Sequence, residues 1–140
     1  MKVAIVCDSR TGTTRDAATA MGRVFEDQGY ECSVHSVADA DPKQTFEADL
    51  ICIGSWTQGL FLFLQHPTKA SMQFIDRLGD LHGKKAVVFC TYKLATGSLL
   101  PKMAAALEAQ GAQVVAQFKS RGAKPADTFR IFVATMTAAE

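Results

Sequence analysis

Short apolar runs alternate five times along this chain with stretches in which apolar residues recur every three or four positions, and few folds accept that alternation. Val3–Cys7, Leu50–Ile53 and the run inside Lys85–Cys90 are continuous apolar segments, the pattern of strands covered on both faces. Helical patterns lie between them. The first runs from about Thr14 to Gln28 with Ala17, Ala18, Met21, Val24 and Phe25 inward, and Gly29 closes it. Another follows Pro67 and buries Met72, Phe74, Ile75 and Leu78; the next follows Gly97 and buries Leu99, Leu100, Met103, Ala104 and Leu107, ending at Gly111. Phe129, Ile131, Phe132, Val133 and Met136 mark a last helix. Glu31–Val37 and Gln113–Phe118 read as the remaining strands, Ala38–Ala48 as a loop with one helical turn, and Gly54–Pro67 as a long loop. Strands that alternate with helices pair in parallel through right-handed crossovers, which covers both faces of one sheet.

Composition narrows the class. With 140 residues, 48% of them hydrophobic and 21% charged, the chain has material for one core, so residues 1–140 read as a single domain. No apolar run approaches the length of about 18 residues that a membrane span needs, and Met1-Lys2 leads straight into a strand rather than a signal peptide. A cytoplasmic protein is expected. Cys7, Cys32, Cys52 and Cys90 form no C-x-x-C pair and each falls in a predicted strand, which points to buried, reduced thiols rather than disulfides or zinc. No basic run is interleaved with aromatics, so nucleic acid is not an expected partner.

The chemistry concentrates in the turn after the first strand, Ser9-Arg10-Thr11-Gly12-Thr13-Thr14. A strand, a short hydroxyl-rich turn and a helix N-terminus together make a phosphate cradle: free N–H groups of the first helical turn point at one spot, and the helix dipole adds positive charge there. Ser9, Thr11, Thr13 and Thr14 offer hydroxyl donors, and Gly12 lets the backbone approach an anion. An ordinary turn with an N-cap is the plainer alternative. A Walker loop needs a Lys before its last Ser or Thr, and Gly-x-Gly-x-x-Gly needs three glycines, so neither fits. Cys7 and Arg15 are too far apart for a thiolate phosphatase loop.

Ser9-x-Thr11-Gly12-x-Thr14 resembles the phosphate loop of the flavodoxin family, where it holds the 5′-phosphate of FMN. The likeness extends over nearly the whole chain through the order and spacing of elements, without the insertion in the last strand, and so is to the short-chain members. It implies a three-layer α/β fold with a five-stranded parallel sheet of order 2-1-3-4-5 and helices on both faces. Ligands in such sheets bind beyond the strand C-termini where the order reverses. There the loops 9–14, 54–67 and 91–97 converge.

In the second loop, Ser55, Trp56, Thr57, Gln58 and Gly59 match the family's isoalloxazine loop. Trp56, the only tryptophan, offers a flat face for stacking, and Gly59 a backbone able to flip toward the flavin. A cap on the edge of the core is the other reading of Trp56. Leu60-Phe61-Leu62-Phe63-Leu64 reads either as an exposed apolar patch, suited to a homodimer or an apolar acceptor such as a quinone, or as an early helix start or an inserted turn on the core. His66 reads as a polar loop residue. In the third loop, Thr91, Tyr92, Lys93 and Gly97 occupy the positions whose aromatic stacks on the outer flavin face, with Tyr92 the candidate.

Charge departs from the family pattern. Flavodoxins are usually acidic, whereas this chain carries a net charge of +1 and no acidic residue from Leu81 to Leu107. Lys93 sits in the third loop, and Lys119, Arg121 and Lys124 follow the last strand. A cation about 8 Å from the ring, at an effective dielectric of about 20, stabilises a reduced anionic flavin by about 2 kcal/mol before screening. The expected second reduction potential is therefore less negative than is usual in the family. The implied function is FMN-binding electron transfer with a redox partner protein or small acceptor, the flavin carrying the chemistry. No residue reads as a nucleophile or general base. An FMN-dependent reductase and an interaction module without flavin are the alternatives. A response-regulator receiver is disfavoured, because strand 3 ends Cys52-Ile53-Gly54 without a carboxylate.

Overall fold

The computed structural model describes residues 1–60, 63–92 and 99–139, and of residues 58–60 and 63–65 the backbone alone. The described elements are β1 (Lys2–Asp8), α1 (Thr13–Asp27), β2 (Glu31–Ser36), α2 (Pro42–Glu47), β3 (Leu50–Trp56), β4 (Gln58–Leu60), β5 (Phe63–His66), α3 (Lys69–Arg77), β6 (Lys85–Thr91), α4 (Leu99–Ala109), β7 (Gln113–Ser120) and α5 (Asp127–Ala138). Five strands form one parallel sheet in the order β2-β1-β3-β6-β7. Counted along the main sheet this is the expected 2-1-3-4-5.

Alternation of side chains along the strands divides the core into two halves. Val3, Ile5 and Cys7 of β1, Leu50 and Cys52 of β3, Val87 and Phe89 of β6 and Phe118 of β7 pack against α1 and α5. Val6, Ile51, Ile53, Ala86, Val88 and Cys90 face α3 and α4 instead, against Phe74, Ile75, Leu99, Met103 and Leu107. On the first face Phe25, Phe118 and Phe129 meet edge to face at centroid distances of 5.2–5.4 Å. Each such ring, once removed from water, contributes about 1.5–3 kcal/mol. At the β7 edge the pairing with β6 shifts register between Ala86 and Val87, so that Val115 has no opposite residue and stands exposed. A bulge of this kind twists an edge strand away from further pairing.

One expectation needs correction. The expected long loop at 54–67 is structured: β3 continues through Trp56, paired with β1 and β6, and an antiparallel hairpin of β4 and β5 follows. The aromatic residues here have high strand propensity; β1 and β6 supply hydrogen-bond partners to the end of β3, and β4 and β5 pair with each other. The helical turn expected within 38–48 is found as α2; its N-cap Asp41 accepts from the Lys43 N–H at 3.0 Å while Pro42 starts the helix. An early start of α3 is excluded. That helix begins at Lys69, capped by Thr68.

All four cysteines are free, three buried and Cys32 half-buried. Burial raises their thiol pKa values from 9.0 to about 11 for Cys7 and about 12 for Cys32 and Cys90, and raises Cys52 as well. The folded chain therefore keeps protons that the unfolded chain releases. Stability is fully present below about pH 9 and is lost as pH rises toward 11 to 12. Urea melts at pH 8 and pH 10.5 check this; an equal midpoint at both would contradict it.

Candidate functional site

Because β1, β3 and β6 are neighbours and parallel, their C-terminal ends lie side by side: Asp8 pairs with Ser55, Trp56 with Thr91, and Thr91 in turn with Ser120. The three chemically distinctive segments therefore start from adjacent points of one sheet edge.

The first segment is built as a cradle. Gly12 is the N-cap of α1 with φ 92°, a left-handed conformation that suits glycine, and having no side chain it cannot itself cap the helix. The Ser9 hydroxyl oxygen accepts from the N–H of Gly12 at 3.1 Å and of Arg15 at 3.3 Å, which folds the loop over the helix end. The Asp16 N–H bonds the Gly12 carbonyl at 2.8 Å and starts the helical ladder. The N–H groups of Thr13 and Thr14 have no hydrogen bond to a described residue. Thr11 is exposed and Thr13 half-exposed, with their hydroxyls 3.4 Å apart. Thr14 differs: it is fully buried, and its hydroxyl lies 2.6 Å from that of Thr91.

The second segment meets the first through an aromatic contact. Trp56 is half-buried at the end of β3, and the Arg10 guanidinium stands 5.5 Å from its ring centroid, a cation–π distance. Ser55 points inward instead. Its hydroxyl donates to the Trp56 carbonyl at 2.8 Å and accepts from the Thr68 N–H at 3.0 Å, while Thr68 and Ser71 hydroxyls pair at 2.8 Å. This buried network fastens β3 to the start of α3, so the Ser55 side chain positions the segment from within. Thr57 donates both its N–H (3.1 Å) and its hydroxyl (2.9 Å) to the Thr91 carbonyl. Gln58 and Gly59 lie in β4, where the backbone is described and the side chains are not. The proposed Leu60–Leu64 contact surface lies outside the described side chains. His66 is exposed and its Nδ1 lies 2.8 Å from the Pro67 carbonyl.

In the third segment Thr91 is nearly buried and Tyr92 half-buried, its N–H donating to Ser120 O at 3.1 Å. Lys93 and Gly97 lie outside the described residues. Lys119 falls within β7 rather than after it, and with Arg121 and Lys124 it is exposed at the same end of the sheet. Among the described residues no group of His, Cys, Asp and Glu could hold a metal, and no helix is long and apolar enough to cross a membrane. A surface groove of about 500 Å³ beside Phe46 and Arg77 opens between α2 and α3, at the other end of the sheet.

A helix start with two free amides and a ring of hydroxyls, beside a tryptophan on the adjacent strand, fits a molecule with a terminal phosphate and a flat ring system. The comparisons with known proteins agree with that class. The family model described as Flavodoxin matches residues 5–130. The chain belongs to the flavodoxin family, flavoproteins of electron transport. No curated protein matches it. Among solved structures it is similar to the two-electron reduced flavodoxin of Megasphaera elsdenii, with TM-score 0.77 and 19% identity over 99% of each chain. It is also similar to oxidised flavodoxin 1 of Bacillus cereus (TM-score 0.75, 23% identity, 99% of this chain and 95% of that one). A flavodoxin from the domain Archaea has TM-score 0.73 and 23% identity, with the same two coverages. At these identities the structural likeness speaks for the fold.

The sequence pattern pointed to the three loops but not to the role of Thr68 and Ser71, which carry no motif, or to the Arg10–Trp56 contact. The latter had one available signal: Arg10 is the only charged residue within Ser9–Thr14.

Proposed function

We propose that this chain binds FMN across the ends of β1, β3 and β6 and passes electrons between redox partners. The observation that supports this most directly is the juxtaposition of the free Thr13 and Thr14 amides at the α1 N-terminus with Trp56, whose ring lies 5.5 Å from the Arg10 guanidinium of the same loop. In this reading the amides of Thr13 and Thr14 and the hydroxyls of Ser9, Thr11, Thr13 and Thr14 hold the phosphate. Trp56 and Tyr92 flank the ring, and Thr57, Gln58 and Gly59 line its edge. When bound, FMN supplies the electron chemistry; the protein fixes its place and excludes water from its faces. The exposed Lys119, Arg121 and Lys124 favour a partner with an acidic face, whose reaction slows as salt is raised.

Titration of the apoprotein with FMN and FAD tests the reading. FMN is expected to bind more tightly, because the cradle closes on one terminal phosphate. Fluorescence of the single tryptophan is expected to fall strongly at saturation. Tighter FAD binding, or unchanged Trp56 emission with FMN bound, contradicts the respective assignment.

A further inference from the structure

Thr91 touches several parts of the site's framework. Its hydroxyl lies 2.6 Å from Thr14 Oγ1 in the first turn of α1, and both side chains are buried. Its carbonyl accepts the N–H and the hydroxyl of Thr57. Its strand neighbours are Trp56 and Ser120. One residue thus joins the loops that follow β1, β3 and β6.

A hydroxyl pair has one bridging proton, and its direction decides what the pair can do. If Thr14 donates to Thr91, the Thr14 proton is engaged. If Thr91 donates to Thr14, the Thr14 proton is free to point at an anion in the cradle, and the Thr91 bond polarises it. An anion beside Thr14 selects the second arrangement.

We propose that Thr91 is a positioning residue for the phosphate half of the cofactor site, acting through the Thr14 hydroxyl and not by contact with the cofactor. The proposal rests on the FMN reading above and assigns Thr91 a task different from ring contact. It makes the effect of Thr91 specific to the phosphate. Riboflavin, which has the same ring and no phosphate, is then indifferent to the hydroxyl.

The test measures dissociation constants of FMN and riboflavin for wild type, Thr91→Val and Thr91→Ser, by quenching of flavin fluorescence. Thr91→Val keeps the side-chain volume and removes the hydroxyl; Thr91→Ser keeps the hydroxyl. The expected result is a 5- to 20-fold weaker FMN complex for Thr91→Val, riboflavin affinity within 2-fold of wild type, and FMN affinity restored in Thr91→Ser. In a cycle with Thr14→Val, the two substitutions together should weaken FMN no more than Thr14→Val alone. If the valine variant does not fold, Thr91→Ala serves the same comparison. Equal losses for FMN and riboflavin reduce Thr91 to a structural role and overturn the proposal, as does unchanged FMN affinity. Wild-type protein that binds no FMN overturns the functional reading itself, an outcome distinct from either.

Discussion

Gly54→Ala is expected to destabilise the folded chain by about 3 kcal/mol, near the upper end of what overpacking a core commonly costs. A Cβ at Gly54 would lie 2.1–2.6 Å from three carbons of the Phe89 ring on the adjacent strand. The obstacle is not the free end of a flexible chain. Phe89 is only 2% exposed and sits in the core face that also holds Phe118 and Phe129. Relief therefore requires the ring, and the side chains behind it, to move. In a domain of this size the loss corresponds to a fall in melting temperature of about 10 °C. Urea unfolding of Gly54→Ala, Phe89→Leu and the double variant measures it. The double variant should be more stable than the sum of the single effects implies, because the smaller side chain leaves room for the new methyl. A loss under 1 kcal/mol for Gly54→Ala would show that Phe89 is free to withdraw. Since Gly54 directly precedes Ser55 and Trp56, the same substitution should also displace the tryptophan and change its emission maximum.

The need for glycine at position 54 was not legible in the sequence, and the reason generalises to the rest of the site. Val3–Cys7, Leu50–Ile53 and Ala86–Cys90 declared themselves as buried strands because hydrophobic periodicity is a local property, and their alternation with helices dictated parallel pairing. The loop 9–14 was legible because phosphate binding needs particular residue types at fixed spacing after a strand. What Gly54 faces depends on register between β3 and β6, where Gly54 lies opposite Phe89, and register is a long-range property. The burial of Ser55 and Thr14 follows the same logic. Both read as ligand donors by motif, yet Ser55 turns to Thr68 and Thr14 to Thr91, residues 13 and 77 positions away. The hairpin β4–β5 was missed for a different reason. Glycines at 54 and 59 and a proline at 67 signal a loop, while the intervening aromatic and branched residues can satisfy their backbone only once neighbouring strands exist.

Thr11→Ala combined with Thr14→Ala should weaken FMN binding by about 2–4 kcal/mol, a factor of roughly 30 to 900, since a hydrogen bond to a charged group contributes about 1.5–3 kcal/mol. The two substitutions should separate in their effect on the protein itself. Thr11 is exposed, and its hydroxyl has only the 3.4 Å contact with Thr13, so its removal should leave stability within about 0.5 kcal/mol of wild type. Thr14 is fully buried against Thr91. Its removal leaves the Thr91 hydroxyl without its partner in a nearly buried position, which costs about 1–3 kcal/mol. Thr11→Ala is thus expected to lower affinity alone, and Thr14→Ala to lower affinity and stability together. Isothermal titration with FMN and urea unfolding without it, on the two single variants and the double, resolve the contributions. Unchanged affinity in the double variant would mean that the phosphate lies elsewhere. An affinity loss confined to Thr14→Ala would place the phosphate deeper, against the first turn of α1 and away from the exposed tip of the loop.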